Sequence, residues 1–356
     1  MVMPMRTIIV TGAAGFIGSA LCRFLRRHDH ARVIGLDKMT YAASREALAE
    51  LANDPHFTLR EMDICDSGAV NALIANTQPD GIIHLAAETH VDRSIDHPGE
   101  FIQTNIVGTF TLLEAARTWR ERRADFRFLH VSTDEVYGSL SDTGAFTETT
   151  PYAPNSPYAA SKASADHLAR AWHKTFGLPV LISNCSNNYG PFQFPEKLIP
   201  LSIMKALNGE NLPIYGQGAN VRDWLFVDDH AEALWTIFTR GRLGEKYNVG
   251  GAAERRNIDV IHDLCALLDE MLPESQHLPH KSLITFVPDR PGHDERYAMD
   301  FSKLNQELGW SPRTSPTEGL RQTVRWYLNH QDWCAAIRNR SYGGERLGQL
   351  PPAARP

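Results

Sequence analysis

A tyrosine and a lysine four residues apart, Tyr158 and Lys162 in the segment Y-A-A-S-K, carry side chains suited to acid–base chemistry. At this spacing both side chains lie on one face of a helix. An ammonium group beside a phenol lowers the pKa of the phenol because it stabilises the phenolate. The pair therefore predicts that Tyr158 acts as a base and that Lys162 supports it.

The segment S-T-D-E-V-Y-G at 132–138 adds a hydroxyl and two adjacent carboxylates. Thr133 can hydrogen-bond the oxygen from which Tyr158 removes a proton. The proton transfer to Tyr158 requires neither Asp134 nor Glu135. The two carboxylates therefore predict a second reaction, in which one acts as an acid and the other as a base. In a closed site, desolvation and the neighbouring charge raise the pKa of one carboxyl group, which can then donate a proton near neutral pH. Neighbours on a strand point to opposite faces, so we expect the chain to leave strand geometry here.

Short apolar strands alternate with helices along the chain and must position these groups. Apolar runs occur at 6–11, 32–37, 57–63, 81–87, 126–132 and 178–183, and a helical pattern at 158–176 ends at Gly177. This alternation predicts an α/β fold with a doubly wound parallel sheet, of the Rossmann type. Further helices are expected at 256–272 and 302–330.

Three glycines follow the first strand in T-G-A-A-G-F-I-G: Gly12, Gly15 and Gly18. Such a turn lets the backbone approach a pyrophosphate, and the helix that follows presents N–H groups and a dipole to anions. Asp37 ends the second strand, where a carboxylate accepts the ribose hydroxyls of NAD and repels the 2′-phosphate of NADP. Lys38 is a mild argument against this choice. The sequence therefore predicts a bound NAD.

The ends of the third and fourth strands are also expected to face the cofactor. Candidate contacts there are Asp63 and Ile64, for the adenine, and Leu85, Ala86 and Ala87, which leave room for the cofactor. For Asp63, a helix cap is an equally good interpretation.

Composition excludes several classes of partner. The net charge of −6 over 356 residues provides no basic surface for nucleic acid or an anionic membrane. The five scattered cysteines predict neither a disulfide framework nor a zinc site, and no other metal motif is present. With no apolar span of about 20 residues, we expect a cytoplasmic protein.

Together these motifs resemble the extended short-chain dehydrogenase/reductase superfamily. The segments T-D-E-V-Y-G, A-A-E-T-H-V-D-R-S-I, N-C-S-N-N-Y-G-P-F-Q-F-P-E-K-L-I-P-L and D-R-P-G-H-D-E-R-Y-A-M-D are similar to the dTDP-glucose 4,6-dehydratases of the NAD(P)-dependent epimerase/dehydratase family, from residue 6 to about 335. The resemblance implies an NAD-binding Rossmann domain at 1–186, joined by 221–246, and an interleaved nucleotide-sugar-binding domain at 187–340. A flexible tail is expected at 341–356.

The resemblance also implies a set of site residues. The catalytic residues would be Thr133, Asp134, Glu135, Tyr158 and Lys162. Further contacts to NAD would come from Phe16, Ile17, Thr40, Thr104 and Asn188, together with Asp37 and Lys38. The substrate would meet Thr89 and Asn187 at the glucose or its phosphate, Lys197 and Leu198 at the nucleotide, Pro213 to Tyr215 at the thymine, and Arg222, Asn257, Arg290 and His293 at the diphosphate and deoxyribose.

The implied reaction is a dehydration without net oxidation. Oxidation of a sugar at C4 makes the hydrogen at C5 acidic, so Glu135 as base and Asp134 as acid at O6 can expel water, after which hydride returns to C6. The family implies a role in deoxysugar biosynthesis of the dTDP-rhamnose type, and the sequence does not choose between a lipopolysaccharide, an enterobacterial antigen and an antibiotic sugar pathway. It also implies a homodimer packed through helices 101–118 and 158–176.

Three alternatives remain. A nucleotide-sugar 4-epimerase shares the C4 oxidation but does not need the Asp134–Glu135 pair. A 4,6-dehydratase for another nucleotide sugar would differ mainly around Pro213 to Tyr215. A non-catalytic NAD sensor on the same fold would be expected to lack Tyr158 or Lys162.

For an arginine such as Arg222, a surface ion pair is the alternative to substrate binding.

Overall fold

A seven-stranded parallel sheet forms the centre of the computed structural model, which describes residues 5–289 and 292–340, without the side chains of 338–340. The strand order is β10-β6-β5-β4-β1-β2-β3, with every pairing parallel. The strands are β1 Arg6–Thr11, β2 Ala31–Asp37, β3 Phe57–Glu61, β4 Gly81–His84, β5 Arg127–Thr133, β6 Val180–Cys185 and β10 Lys246–Val249. The order reverses at β1, and the doubly wound sheet predicted from the sequence is confirmed.

Helices cover both faces of this sheet. The first helices are α1 Phe16–Arg27, α2 Ser67–Thr77, α3 Val91–Asp96, α4 Pro98–Phe101, α5 Thr109–Arg120, α6 Pro157–Phe176 and α8 Val227–Arg240. One apolar core joins the sheet to α1 and α8, and another joins its opposite face to α2, α5 and α6. Because both faces are covered, the central strands are apolar throughout rather than alternating.

A smaller group of elements comes from the second half of the chain. It contains the three-stranded sheet β11-β9-β7 and the two-stranded sheet β12-β8. Its strands are β7 Asn187–Tyr189, β8 Leu212–Tyr215, β9 Val221–Phe226, β11 Glu254–Arg256 and β12 Ile284–Val287, and its helices are α7 Leu198–Leu207, α9 Asn257–Met271, α11 Pro316–Asn329 and α12 Gln331–Arg340. These strands pack with α7, α9, α11 and α12 around a core of their own. The helix α10 Ser302–Leu308 instead packs into the core that joins the large sheet to α1 and α8. The domain boundaries given above stay a prediction.

Several element ends differ from the sequence prediction. β3 ends at Glu61 and β4 at His84, so the residues predicted at their ends lie in the loops that follow. The segment expected as one helix over 101–118 includes a π-helix at Ile102–Gly108 before α5. Two short 3₁₀ helices that periodicity did not predict occur at Glu46–Leu51 and Asp134–Tyr137. Within the described part of the chain, none of the helices is both long and apolar enough to span a membrane.

Candidate active site

The glycine-rich turn between β1 and α1 brings the chain against its neighbours more closely than a side chain allows. Gly12 has φ +68°, and a Cβ there would lie 2.8 Å from the backbone N of Ala86. A Cβ on Gly18 would lie 2.0 Å from the carbonyl O of Gly12. The turn can close only with glycine at both positions, and it leaves the N-terminus of α1 facing the carboxyl edge of the sheet, where an anion is stabilised.

Asp37 ends β2 beside this turn. Its Oδ2 accepts a hydrogen bond from the Ala14 amide at 2.9 Å, and its Oδ1 accepts one from the Met39 amide at 2.8 Å. Burial raises the pKa of Asp37, although these hydrogen bonds oppose the shift. The ammonium group of Lys38 pairs with Asp63 at 2.7 Å. Lys38 is therefore already neutralised by a carboxylate, which weakens it as an argument for a 2′-phosphate.

A cavity of about 320 Å³ opens along the carboxyl ends of the parallel strands. All the residues predicted to contact the cofactor line it: Gly12, Gly15, Phe16, Ile17, Gly18, Asp37, Lys38, Thr40, Asp63, Ile64, Leu85, Ala86, Ala87, Thr104, Tyr158, Lys162 and Asn188. The predicted catalytic residues Thr133, Asp134 and Glu135 line it as well. The structure therefore places the candidate cofactor and catalytic groups in one cavity. Asp63 does not cap α2, because that position belongs to Asp66.

The chain turns sharply where the two carboxylates occur. β5 ends at Thr133, and the 3₁₀ helix begins at Asp134. The Thr133 hydroxyl donates a hydrogen bond to Asp134 Oδ1 at 3.2 Å and accepts one from the Glu135 amide at 3.3 Å. The expected departure from strand geometry is confirmed, and it lets Thr133, Asp134 and Glu135 all line the cavity.

Asp134 has the environment of an acid. Its side chain is 2 % exposed, and Oδ2 has no hydrogen-bond partner among the described residues. Burial, followed by the charge of Glu135, raises the pKa of Asp134 well above its ordinary value. This is the direction, and these are the two causes, that the sequence predicted.

Burial strongly affects Tyr158. Burial and then the charge of Glu135 raise the pKa of Tyr158 well above its ordinary value, and a hydrogen bond with Thr133 only partly opposes them. Lys162 donates to the carbonyl O of Val131 at 2.8 Å. The prediction that Lys162 lowers the pKa of the phenol stays a prediction, and in the protein burial has the largest effect on the pKa of Tyr158.

The predicted substrate residues fall into two groups. Thr89, Asn187 and Lys197 line the cavity with the catalytic residues, and Lys197 Nζ donates to the carbonyl O of Thr89 at 3.2 Å. The others lie outside the cavity lining: Leu198 at the start of α7, Pro213 and Tyr215 on β8, Arg222 on β9, Asn257 at the start of α9, and His293. Arg290 lies outside the described residues.

Arg222 is held inside the protein rather than on its surface. It is 5 % exposed and donates to the carbonyl oxygens of Val221 and Asp294 at 2.8 and 2.9 Å. Its guanidinium group lies 4.2 Å from the ring centre of Tyr297. The surface ion pair is therefore the wrong alternative for this residue.

Two further polar contacts position Tyr215 and His293. The Tyr215 hydroxyl donates to Asp92 at 2.9 Å, and its ring meets that of His293 edge to face at 6.1 Å. His293 Nδ1 lies 2.6 Å from Asp289.

Among the described residues, no group of three or more His, Cys, Asp or Glu side chains is arranged to hold a metal ion.

Sequence reasoning missed Glu196, which lines the same cavity. Its Oε1 accepts a hydrogen bond from the Tyr41 hydroxyl at 3.2 Å, and burial raises the pKa of its carboxyl group. A carboxylate in the Pro- and aromatic-rich segment F-P-E-K was the available signal. The other lining residues that were not predicted are Leu36, Ala42, Ala43, Met62, Glu88, Val131, Ser132, Cys185, Ser186, Gln193 and Phe194.

Comparisons with known proteins give consistent matches. Residues 9–323 match a family model described as GDP-mannose 4,6 dehydratase. A curated protein of Neisseria meningitidis serogroup B named dTDP-glucose 4,6-dehydratase is 55% identical over 352 residues, covering 97% of this chain and 99% of that protein. An Escherichia coli protein of the same name is 52% identical, covering 96% of this chain and 99% of that protein.

Solved structures match over most of the chain. The structure of DesIV, a dTDP-glucose 4,6-dehydratase from Streptomyces venezuelae with NAD bound, has a TM-score of 0.85 and 44% identity and covers 93% of this chain and 99% of its own. A UDP-glucose 4-epimerase from Thermotoga maritima has a TM-score of 0.80 but only 27% identity, with 91% of this chain and 99% of its own covered. Epimerases thus share the fold at lower identity.

Proposed function

Because this chain belongs to the GDP-mannose 4,6-dehydratase family and, within it, to the dTDP-glucose 4,6-dehydratases, we propose that it converts dTDP-glucose into dTDP-4-keto-6-deoxyglucose. The observation that carries this proposal is the turn at Thr133, which sets Asp134 and Glu135 in the same cavity as Tyr158. A simple dehydrogenase does not need the two carboxylates. A dehydratase needs both.

The first step is oxidation at C4. The phenolate of Tyr158 takes the proton of the C4 hydroxyl, while Thr133 hydrogen-bonds the same oxygen. NAD, when bound, would supply the hydride acceptor for C4 and the hydride donor for C6, and its positive ring charge would favour the phenolate of Tyr158. Lys162, four residues after Tyr158, is only 4 % exposed and can hold the nicotinamide ribose.

The second step is elimination of water. Glu135 removes the proton at C5, which the C4 ketone has made acidic, and Asp134 donates a proton to O6 as water leaves. Hydride then adds at C6 and a proton returns to C5. The atoms balance as a loss of one water molecule, and the cofactor is regenerated in each turnover.

The substrate-binding assignments are proposals that rest on the family pattern. Thr89 and Asn187 would meet the glucose or its phosphate, and Lys197 and Leu198 the nucleotide. Pro213 and Tyr215 would meet the thymine, and Arg222, Asn257, Arg290 and His293 the diphosphate and deoxyribose. A guanidinium group such as that of Arg222 suits a diphosphate because it can donate two parallel hydrogen bonds.

A homodimer is also proposed, through α5, α6 and the π-helix before α5. Four large apolar side chains are exposed there: Ile102 (54 %), Phe110 (45 %), Phe176 (44 %) and Val107 (36 %). Exposed apolar patches of this kind mark interaction surfaces.

The five cysteines are free thiols, which fits the cytoplasmic location that we propose. The proposed role is deoxysugar biosynthesis of the dTDP-rhamnose type.

The purified protein should be mixed with dTDP-glucose in heavy water, without added cofactor, and the sugar analysed by NMR and mass spectrometry. We expect a 4-keto-6-deoxy sugar that carries deuterium at C5, because Glu135 exchanges its proton with solvent. The galactose epimer as sole product would overturn the proposal in favour of an epimerase. Turnover of UDP-, CDP- or GDP-sugars alone would overturn only the choice of nucleotide.

A further inference from the structure

The Tyr158–Lys162 pair is continued one helical turn further by a buried carboxylate, Asp166. The three residues are four positions apart on α6, so their side chains follow one another along one face. Asp166 is 2 % exposed. It does not line the cavity, and the reaction described above does not use it.

Asp166 receives hydrogen bonds from three separate segments of the chain. Its Oδ2 accepts from the Tyr152 hydroxyl at 2.6 Å and from Asn184 Nδ2 on β6 at 3.1 Å. Its Oδ1 lies 3.0 Å from His130 Nε2 on β5. Burial alone would raise the pKa of Asp166, but His130, followed by the hydrogen bond from Tyr152 and the charge of Lys162, holds it below its ordinary value. The carboxylate is therefore ionised.

His130 does not neutralise this charge. Burial and then Lys162 lower the pKa of His130, which keeps the imidazole neutral near pH 7. Its Nδ1 is buried without a partner among the described residues, so the proton lies on Nε2, facing Asp166. A neutral donor leaves the full negative charge of Asp166 to act on the cations around it.

Lys162 is the cation that the negative charge of Asp166 stabilises. It is 4 % exposed, and its ammonium group donates to the carbonyl O of Val131. Burial lowers the pKa of Lys162, and Asp166 is the largest opposing influence, followed by Cys185. The other titratable groups around Lys162 and Asp166 are Tyr158 on the same helix, His84 on β4, His130 on β5, Cys185 on β6, Lys246 on β10, and Tyr137, Glu148 and Tyr152 between β5 and α6.

Asp166 is also linked to Thr133. One amide group, Asn184 Nδ2, donates both to Asp166 Oδ2 and to the carbonyl O of Thr133, each at 3.1 Å. Thr133 is the last residue of β5 before the turn that carries both carboxylates. A shift of Asp166 would therefore be transmitted through Asn184 to the start of this turn.

We propose that Asp166 is a positioning residue for the C4 oxidation, whose buried charge keeps Lys162 protonated beside Tyr158 and whose contact with Asn184 fixes the carbonyl group of Thr133. This inference rests on the proposed function. It assigns Asp166 a role in the rate and pH dependence of the reaction, beyond its contribution to folding.

The test is a pH profile of kcat and KM for dTDP-glucose with NAD-loaded wild type and Asp166→Asn. Asparagine keeps the shape but removes the charge, so Lys162 loses its proton at lower pH. We expect the alkaline loss of kcat to move to lower pH by about one unit or more, with KM for dTDP-glucose nearly unchanged. An alkaline limb at the wild-type pH would overturn the proposal.

Two matched variants separate the charge from other effects. Tyr152→Phe removes one hydrogen bond to Asp166 but leaves its charge, and we expect its alkaline limb to stay in place. Lys246→Met removes the other buried cation near Asp166, whose pKa burial lowers to about 8. The alkaline limb of this variant should stay in place or move to higher pH. A limb that moves to lower pH in either variant, as far as in Asp166→Asn, would show that the charge of Asp166 is not the cause.

If Asp166→Asn does not fold, the variant Asn184→Ala tests the proposal instead. This variant cuts the link to Thr133 and keeps the charge, so kcat should fall about tenfold or more with the alkaline limb unshifted. A wild-type kcat would overturn the proposal. Inactivity of the wild type towards dTDP-glucose is a separate result, because it would reject the proposed function itself.

Discussion

Thr133 and Asp134 are joined by a hydrogen bond from the hydroxyl of one to Oδ1 of the other, 3.2 Å long, at the point where β5 ends. In a regular strand the two side chains would point to opposite faces. Here the 3₁₀ helix Asp134–Tyr137 starts at once, so a hydroxyl and a carboxyl group face the same cavity. This turn gives the site its acid, and the first two predictions depend on it.

Asp134→Asn should abolish elimination but keep the exchange of the C5 hydrogen. The amide cannot protonate O6, whereas Tyr158 and Glu135 still oxidise C4 and remove the C5 proton. We expect product formation to fall by about a hundredfold or more. NMR of recovered dTDP-glucose in heavy water measures deuterium at C5. Loss of exchange together with product would mean that Asp134 has a more general role.

The same substitution should stabilise the protein increasingly as the pH rises. The folded pKa of Asp134 is raised above 3.8, chiefly by burial, so its contribution to stability is complete below that value and is lost as the pH rises through the folded pKa. Within this window the wild type loses about 1.4 kcal/mol per pH unit relative to a side chain that does not titrate. Urea unfolding of both proteins at several pH values measures the difference. Parallel stability profiles would contradict a raised pKa.

Glu135→Gln should permit C4 oxidation and stop the reaction there. Glutamine cannot take the C5 proton, so the reduced cofactor accumulates on the enzyme while little water is expelled. The variant also removes the charge that, after burial, raises the pKa of Tyr158, so oxidation itself should extend to lower pH. Absorbance of bound NADH after mixing with dTDP-glucose measures both effects. Dehydration at the wild-type rate would reject Glu135 as the C5 base.

Tyr158→Phe should block every step, because neither the carboxylates nor Thr133 can replace the phenolate at O4. We expect no bound NADH, no deuterium at C5 and no product, with NAD still retained. The matched comparison is Glu135→Gln, which should form NADH under the same conditions. Formation of NADH by Tyr158→Phe would assign the C4 base to another group.

How much of the site the sequence could predict depended on whether the signal was local. The spacing of Tyr158 and Lys162 and the glycines of the first turn are local patterns, and all of these residues line one cavity. The doubly wound parallel sheet follows from the alternation of short apolar strands with helices. Glu196 was missed because its burial depends on Tyr41, which is 155 positions away in the sequence. No local pattern records such a contact.

The same limit explains the two electrostatic outcomes. For Asp134, desolvation and the adjacent Glu135 act in the same direction, so the predicted rise of its pKa needed only the sequence. For Tyr158, the sequence prediction considered only the neighbouring ammonium group, whereas the largest effect on its pKa is burial. Its extent depends on packing by several elements, which spacing alone cannot give.

Gly12→Ala should release NAD and destabilise the protein, and Gly144→Ala is the matched control. Both glycines have positive φ, +68° and +86°, so an alanine is strained at either position. A Cβ at Gly12 would also meet the backbone of Ala86 at 2.8 Å, whereas nothing lies within 4 Å of one at Gly144. We expect a cost of about 1 kcal/mol at Gly144 with NAD retained, and a clearly larger cost at Gly12 with NAD lost. Unfolding curves and the NAD content of the purified proteins measure both. Equal costs and equal NAD content would show that backbone strain alone, and not the approach to Ala86, makes glycine necessary in this turn.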